Sequence, residues 1–385
     1  MSNSEAKHDL GQYFTTNEQL KKKVLDFVLN DPEIILEPSI GQGDLVEYIL
    51  NNNANIQFDM YEIDTTIKML KGVPTTKVIY GDFMKQKIKK KYKTIIGNPP
   101  FVRTKTGNLY IDFVEKCFNL LEDGGELVFI VPSDFLKLTC ASKLLNAMIE
   151  VGTFTHIYHP NNENLFKHAS IDVIVFRYCR CIVKEQKTMY NNREKYLINT
   201  NGIITFSNKA ADNNLLISEY FTVYVGMVTG KESVYKNNTF GNITLLNKKN
   251  VRDKYIFIDT YPTTKADLDS YLESHKEVLI NRKIKKFTEE TWWQWGAPRN
   301  QRNIENNLGK KCIYISNLTR NEEVAFLGKV EYFGGSLLMM IPKKKIDLKK
   351  MVTYLNSSEF KSNYMFSGRF KIGHKQVCNA LIPTK

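Results

Sequence analysis

Short apolar runs alternate with helix-patterned segments between Glu33 and Tyr178, and this alternation limits the folds open to the chain. Runs that are apolar throughout are typical of strands covered on both faces, and strand-helix alternation builds a parallel sheet. The sequence therefore predicts an α/β fold with a Rossmann-like, doubly wound sheet. The predicted strands are the runs 33–38, 58–64, 77–82, 93–100, 126–132, 154–160 and 171–178.

The segments between several of these runs carry apolar residues at helical spacing. Two such sets are Leu45, Ile49 and Leu50, and Phe113, Cys117, Leu120 and Leu121. Gly124-Gly125 follows the second set, and glycine just past a helical pattern predicts the end of the helix.

The first four predicted strands all end in polar residues. In a sheet of this kind, ligands bind outside the carboxyl ends of the strands, so residues at these ends share one edge. A single acidic strand end is usually a solvated or capping group, whereas four polar ends in succession indicate one site. The ends are Glu37-Pro38-Ser39, Glu62-Ile63-Asp64, Asp82-Phe83 and Asn98-Pro99-Pro100-Phe101.

The turn after the first strand indicates the kind of ligand. Gly41 and Gly43 precede a predicted helix, but the full G-x-G-x-x-G fingerprint is absent because position 46 is not glycine. Glu37 would repel a pyrophosphate, so the turn favours a nucleoside without phosphates and fits a cationic one. An acid at the end of the second strand is where a ribose diol would be held, and Glu62 stands there. Ile63 beside it can pack on a flat base.

The net charge of +13 is unevenly distributed. Residues 1–208 carry 25 Lys and Arg against 24 Asp and Glu, whereas residues 209–385 carry 29 against 17. A chain of 385 residues is long enough for two domains. We therefore expect a neutral domain at 1–208 and a polyanion-binding domain at 209–385. The alternative is that the excess lysine is only solvated surface.

Composition excludes several classes of protein. No apolar run approaches the roughly 18 residues that a membrane span needs, and "MSNSEAKHDL" lacks the apolar core of a signal peptide. The six cysteines lack the paired spacing of a disulfide framework or a zinc site. Cys179-Arg180-Cys181 is the one close pair, and no second Cys or His pair accompanies it. We expect a cytoplasmic or nucleoid-associated protein without a membrane partner or a metal.

The motifs, taken in order, resemble the S-adenosylmethionine-dependent DNA adenine-N6 methyltransferases of the gamma class, which occur in type II restriction-modification systems. "GQYFTT" (11–16) is similar to the family's N-terminal cofactor motif and "LEPSIGQGDL" (36–45) to its glycine motif. "YEID", "GDF" and "IIGNPPF" resemble the ribose, adenine and catalytic motifs, and the segments 120–136 and 165–176 resemble later strand motifs. The resemblance covers about residues 10–180. It implies a class I methyltransferase sheet followed by a smaller, irregular α+β target-recognition domain.

The resemblance also implies roles for individual residues. The catalytic residues would be Asn98, Pro99, Pro100, Phe101 and, stacking on the target base from the side opposite Phe101, Phe166. Contacts to S-adenosylmethionine would come from Thr15, Glu37, Pro38, Ser39, Gly41, Glu62, Ile63, Asp82, Phe83 and Asn98. Without the resemblance, Asp82 would be interpreted as a turn cap, Phe166 as a core residue and Tyr13 as a packing residue.

Asn-Pro-Pro-Phe suits methyl transfer to a planar amine. The amine lone pair is delocalised into the ring, so two fixed acceptors for its two N–H bonds are needed to orient the nitrogen. The Asn98 side-chain oxygen and the Pro99 carbonyl can supply them, because successive prolines hold that carbonyl rigidly. Phe101 offers a stacking face, and a base inside a duplex must flip out to reach it.

Other substrates use the same four residues. RNA-adenine and protein-glutamine N-methyltransferases carry a similar sequence, and a non-catalytic DNA-binding protein could retain the fold. Cytosine-C5 methylation needs a cysteine nucleophile, usually after proline, and the chain contains no Pro-Cys. The basic second half favours double-stranded DNA, and the intact catalytic motif favours an enzyme. We expect a monomer, and a cognate restriction endonuclease acting on the same site is compatible with this interpretation.

The second half has an irregular pattern with strand-like runs at 220–230 and 254–259. Basic and aromatic residues interleave at 281–303, which suits phosphate contacts combined with base stacking. This segment contains Trp292, Trp293 and Trp295. The alternative is that these tryptophans form a small core, and we expect at least one of them to do so. His374 and Lys375 are further candidate DNA contacts.

Overall fold

A computed structural model describes residues 13–104, 107–166, 169–210 and 215–382. The chain divides into two units. The first consists of Met1–Asp212 with Met365–Gly368, and the second of Asn213–Tyr364 with Arg369–Lys385. Within the described ranges, no helix is both long enough and apolar enough to cross a bilayer.

The first unit is built on a ten-stranded sheet with the strand order β10-β9-β8-β6-β7-β5-β4-β1-β2-β3. Its strands are β1 (Ile34–Glu37), β2 (Gln57–Glu62), β3 (Val78–Tyr80), β4 (Tyr92–Gly97), β5 (Leu121–Pro132), β6 (Thr153–Tyr158), β7 (Val173–Cys179), β8 (Lys187–Tyr190), β9 (Arg193–Thr200) and β10 (Ile203–Ser207). The first five strands are parallel to one another. The predicted α/β fold class is therefore confirmed.

Two parts of the sheet differ from the expectation of a parallel arrangement. Strand β7 lies antiparallel between β5 and β6, because the chain returns from β6 through a loop rather than through a crossover helix. Strands β8 to β10 extend the sheet as a meander that was not predicted from the sequence. These strands mix polar and apolar residues, so they lack the continuous apolar run by which fully covered strands are recognised in a sequence.

Helices and short 3-10 turns cover both faces of this sheet. They are α1 (Glu18–Phe27), α2 (Asp44–Asn52), α3 (Leu109–Leu120), α4 (Ser142–Val151) and the turns Thr75–Lys77, Phe83–Lys85, Phe135–Lys137 and Thr139–Ala141. Ile35, Ile96 and Val128 face one core, whereas Leu36, Ile95 and Leu127 face the other. The predicted end of α3 at Gly124-Gly125 is wrong: the helix ends at Leu120 and both glycines lie within β5.

A buried ion pair fixes the segment that follows α1. The Arg177 Nε atom lies 2.6 Å from the Glu126 carboxylate, which also accepts hydrogen bonds from the Leu29 and Asn30 amides and from the Thr94 hydroxyl. The C-terminal end of α1 is thus anchored to the sheet. The residues before α1, among them Thr15, lie at the carboxyl edge of the sheet.

The second unit contains smaller sheets and short helices. Its strands are β11 (Phe221–Val225), β12 (Ile243–Lys248), β13 (Val251–Tyr255), β14 (Lys311–Ser316), β15 (Leu318–Thr319), β16 (Ala325–Lys329), β17 (Leu337–Pro342) and β19 (Arg369–Lys371), while β18 (Met365–Phe366) is grouped with the first unit. Its helices are α5 (Ile217–Tyr220), α6 (Glu232–Tyr235), α7 (Ala266–Ser274), α8 (Lys276–Ile280), α9 (Gln301–Glu305), α10 (Leu348–Leu355), α11 (Ser358–Ser362) and α12 (His374–Cys378). The largest sheet has the order β11-β17-β14-β16. This mixture is the expected irregular α+β domain.

The three tryptophans lie in the core of the second unit. Trp292, Trp293 and Trp295 are 1%, 9% and 3% exposed, and the indole N–H of Trp295 donates to the Ile256 carbonyl at 2.8 Å. The interpretation of these rings as stacking platforms for bases is therefore wrong, because their faces are covered by the protein.

Candidate active site

A cavity of about 270 Å³ lies at the carboxyl ends of the first four strands. The structure brings together on its wall every residue that the sequence marks as a cofactor contact: Thr15, Glu37, Pro38, Ser39, Gly41, Glu62, Ile63, Asp82, Phe83 and Asn98. Pro100 of the catalytic motif also lines it. Tyr13, Asp44 and Phe113 are lining residues that sequence reasoning did not select.

The Asn98 side chain is held at one end and free at the other. Its Nδ2 atom donates to the Tyr13 carbonyl at 2.7 Å and to the Thr15 hydroxyl at 3.1 Å. Its Oδ1 atom is buried and has no partner among the described residues. The Pro99 carbonyl likewise accepts no hydrogen bond from any of the described residues. Two consecutive residues of the motif thus each have an acceptor without a partner in the described residues, and hydrogen bonds from its own N–H groups set the orientation of the Asn98 amide. Pro99 itself is not a lining residue of the cavity.

Glu37 is a buried carboxyl at the end of β1, with a relative exposure of 2%. The Ser39 amide donates to its Oε1 atom at 3.2 Å. Burial raises the pKa of Glu37 to about 8, and the nearby Glu62 carboxylate contributes to the increase. The Ser39 hydroxyl is a second buried polar group that lacks a partner within the described residues. Groups of this kind at a cavity wall are expected where a polar ligand completes the hydrogen bonding.

Glu62 holds the glycine turn in place. Its Oε2 atom accepts from the Gly41 amide at 2.8 Å and its Oε1 atom from the Asp64 amide at 2.9 Å, while burial raises its pKa. Gly41 and Gly43 have φ angles of +59° and +89°, which favour glycine. A Cβ atom on Gly43 would also lie 2.2 Å from Val73. The turn therefore requires both glycines.

The side of the cavity next to β2 and β3 has an apolar wall. Ile63 is 54% exposed although it is a large apolar residue, so its side chain can cover a flat ligand. Phe83 is buried and stacks on Phe113 with ring centroids 5.5 Å apart. Asp82 caps the following turn through a 2.9 Å bond from the Met84 amide, which is the capping role considered for it above. Its second oxygen lies 3.5 Å from the Lys85 ammonium.

Lys116, on α3, holds the turn Phe83–Lys85 in place. Its ammonium group donates to the Phe83 carbonyl, to the Met84 carbonyl at 3.2 Å and to the Gln86 carbonyl at 2.8 Å. It also lies 4.5 Å from the centre of the Phe83 ring, and burial lowers its pKa. Nothing in the sequence distinguishes this lysine from a solvated one, because its partners are backbone carbonyls from a distant segment.

Phe101 and Phe166 lie close together but do not form a parallel pair. Their ring centroids are 6.2 Å apart and the rings are nearly perpendicular, at 86°. A base held between them would need parallel rings about 7 Å apart, twice the contact distance of stacked atoms. The Tyr13 ring stacks on Phe101 instead, at 5.8 Å and 29°. Binding of a base in this place therefore requires movement of Tyr13 or Phe166.

The two candidate DNA contacts of the second unit, His374 and Lys375, lie on α12. The His374 Nε2 atom lies 3.0 Å from the Val223 carbonyl, and Lys375 is exposed on the same short helix. Within the described ranges, no group of three or more His, Cys, Asp and Glu residues could hold a metal ion.

The first unit has an α/β fold whose first five strands are parallel, with its cavity at the carboxyl ends of the strands. Residues 41–166 match the family model described as Eco57I restriction-modification methylase.

Several named methyltransferases are similar in sequence. The type II methyltransferase M.HincII of Haemophilus influenzae is 30% identical over 196 residues, which are 45% of this chain and 38% of that protein. M.MjaIV of Methanocaldococcus jannaschii is 32% identical over 147 residues, 36% of this chain and 47% of the relative. Ribosomal RNA small subunit methyltransferase A of Cytophaga hutchinsonii is 34% identical over 137 residues, 33% of this chain and 50% of the relative. The chain thus spans half or less of each of these proteins.

Two solved structures share the fold over most of the chain. The restriction-modification enzyme MmeI, solved in complex with DNA, has a TM-score of 0.59 and 10% identity over 98% of this chain and 65% of its own. The DrdV-DNA complex has a TM-score of 0.52 and 10% identity over 90% of this chain and 50% of its own. At such low identity, the similarity concerns the fold alone.

Proposed function

We propose that the protein is a site-specific DNA methyltransferase that transfers a methyl group from S-adenosylmethionine to N6 of a flipped adenine in double-stranded DNA. The observation that carries this proposal is the Asn98 side chain, whose Oδ1 atom is buried and unpartnered within the described residues while both N–H bonds of its amide are engaged. The type II methyltransferases among its relatives support the methyl-transfer part of this proposal.

The residues of the cavity fit S-adenosylmethionine. The cofactor supplies an electrophilic methyl group on a sulfonium. The Ser39 hydroxyl and the Glu37 carboxyl would face its polar methionine part, and Glu62 would hold the ribose diol. Ile63 and Phe83 would cover the adenine ring, with Asp82 accepting from its amine. A wall that combines hydrogen-bonding carboxyl groups with apolar side chains suits a nucleoside without phosphates.

The protein's own contribution to the reaction is orientation. Asn98 Oδ1 and the Pro99 carbonyl would accept the two N–H bonds of the target amine, so that its lone pair points away from the ring plane. Removal of one such preorganised dipole typically costs about 10²- to 10³-fold in rate. Phe101 would stack on the base, and no strong base is required because the proton leaves after the nitrogen has become cationic.

The second unit would recognise DNA, and its net positive charge supports this role. We expect a monomer, and a cognate restriction endonuclease acting on the same site is compatible with the proposal. The main alternative is RNA-adenine methylation, which the ribosomal RNA methyltransferase among the relatives favours.

Substrate competition separates these alternatives. The full chain is incubated with radiolabelled S-adenosylmethionine and equal masses of unmodified duplex DNA, ribosomal RNA or protein. Label in DNA supports the proposal, whereas label confined to RNA or protein overturns it. Glu62→Ala should weaken cofactor binding first, and an unchanged dissociation constant for S-adenosylmethionine would contradict the assignment of Glu62 to the ribose.

A further inference from the structure

A buried arginine without a counter-charge organises one surface of the second unit. Arg282 is 7% exposed, and its guanidinium donates to the carbonyls of Leu279 at 2.6 Å, Thr229 at 2.7 Å, Trp292 at 2.6 Å and Gln294 at 2.8 Å. In the described part of the chain, no carboxylate forms an ion pair with it. Burial lowers its pKa, but a guanidinium remains charged at neutral pH.

The uncompensated charge of Arg282 adds to the potential of the surface above it. In a medium of low dielectric, a buried charge acts over a longer range than a solvated one. The Phe287 ring lies 3.8 Å from the guanidinium and 5.0 Å from the Lys285 ammonium, so two cations share one aromatic ring. Burial of a charge without a counter-charge costs stability unless a ligand of opposite sign compensates for it.

Three segments meet at this arginine. The segment 228–231 pairs with 296–297 through backbone hydrogen bonds of 2.9 Å. The third segment is 282–287, and its Ile284 packs on the glycines of the other two. A Cβ atom added to Gly230 would lie 2.9 Å from Ile284, and one added to Gly296 would lie 2.7 Å from it. The loop that carries the lysines is therefore held in a defined position.

The cations on these segments have no acidic partner among the described residues. They are Lys231, Lys283, Lys285 and Lys286, together with Arg299 two residues beyond the segment 296–297. Some other basic residues of the same unit do form ion pairs, as in the pairs of Lys236 with Asp253 at 2.9 Å and Arg252 with Glu331 at 2.6 Å.

We propose that Lys231, Lys283, Lys285, Lys286 and Arg299 form a phosphate-binding surface for duplex DNA, held in shape by Arg282. The inference rests on the proposed function and adds to it the part of the second unit that contacts the DNA backbone. Each phosphate contact releases a counterion, so log K falls as log salt rises. Loss of one contact should reduce the magnitude of this negative slope by about 0.9.

The test compares two triple variants of the full chain that lose the same charge. Lys283→Gln/Lys285→Gln/Lys286→Gln alters the proposed surface. Lys87→Gln/Lys89→Gln/Lys93→Gln is the control, because these lysines are exposed in the first unit. Binding of a 30-base-pair duplex of arbitrary sequence is measured by fluorescence anisotropy at several salt concentrations, and methyl transfer to DNA is measured in parallel.

We expect the magnitude of the slope of log K against log salt to decrease by about two to three in the first variant and to stay unchanged in the control. Equal changes of the slope in both variants, or no change in either, would overturn the proposal of a phosphate-binding surface. Preferential binding of an RNA duplex of the same sequence through these lysines would also overturn it. If the unaltered protein methylates DNA while the slope is unaffected by the substitutions, only this inference fails. If it neither binds nor methylates DNA, the proposed function fails as well.

Discussion

Replacement of Glu37 by glutamine should stabilise the free protein. Because Glu37 is buried with a pKa near 8, the folded protein retains a proton that the unfolded chain loses near pH 4.5. Each pH unit between these values costs the folded state about 1.4 kcal/mol. At pH 7 the cost is about 3 kcal/mol, and it disappears below pH 4.5. Glutamine carries no such cost and can still accept from the Ser39 amide.

The measurement is urea unfolding of the full chain at pH 5, 6, 7 and 8, followed by circular dichroism. Hydrogen exchange in β1 and β4 identifies the transition of the first unit. The stability difference between Glu37→Gln and the unaltered protein should grow as the pH rises from 5 to 8. The control is Glu33→Gln, since Glu33 is exposed at the other end of β1. Parallel stability curves for the unaltered protein and Glu37→Gln would refute the reasoning.

Three further predictions concern other parts of the first unit. Lys116→Met should raise KM for S-adenosylmethionine while kcat changes little, because the turn after β3 loses the lysine that holds it. The control Lys87→Met, at an exposed lysine, should alter neither constant. A fall in kcat with KM unchanged in Lys116→Met would contradict the positioning role. Arg177→Met should lower the free energy of unfolding by about 3–5 kcal/mol, because Glu126 is left as an unpaired buried charge, and urea unfolding would detect the loss. Phe101→Ala should weaken binding of a duplex with 2-aminopurine at the target position by about 1–3 kcal/mol, while binding of a non-target duplex stays the same.

The fold class could be predicted because fully covered strands have a distinctive pattern. The seven apolar runs correspond to β1 to β7, but the meander β8 to β10 has no such pattern and was missed. The antiparallel direction of β7 could not be predicted from the sequence either, since it depends on whether the connection before this strand is a loop or a helix.

The candidate site was predictable to the extent that it follows from strand ends. Glu37, Glu62 and Asn98 meet at one cavity because parallel strands share a carboxyl edge. Lys116 was missed because its hydrogen bonds go to backbone carbonyls that are distant in sequence. The sequence left open whether the tryptophans stack on bases or form a core, because interleaved basic and aromatic residues fit both; their burial confirms the core that was expected for at least one of them.

The most direct test of the account is the identity of the methylated nucleoside. Unmethylated genomic DNA is incubated with S-adenosylmethionine and either the unaltered protein or Asn98→Ala, then digested to nucleosides and analysed by mass spectrometry. Since Asn98 also anchors Tyr13 and Thr15, cofactor affinity is measured for both proteins and the assay is run at saturating cofactor. We expect N6-methyladenine with the unaltered protein and a methylation rate about 10²- to 10³-fold lower in the variant. Methylation of another nucleoside, or near-normal rates with Asn98→Ala at saturating cofactor, would contradict it.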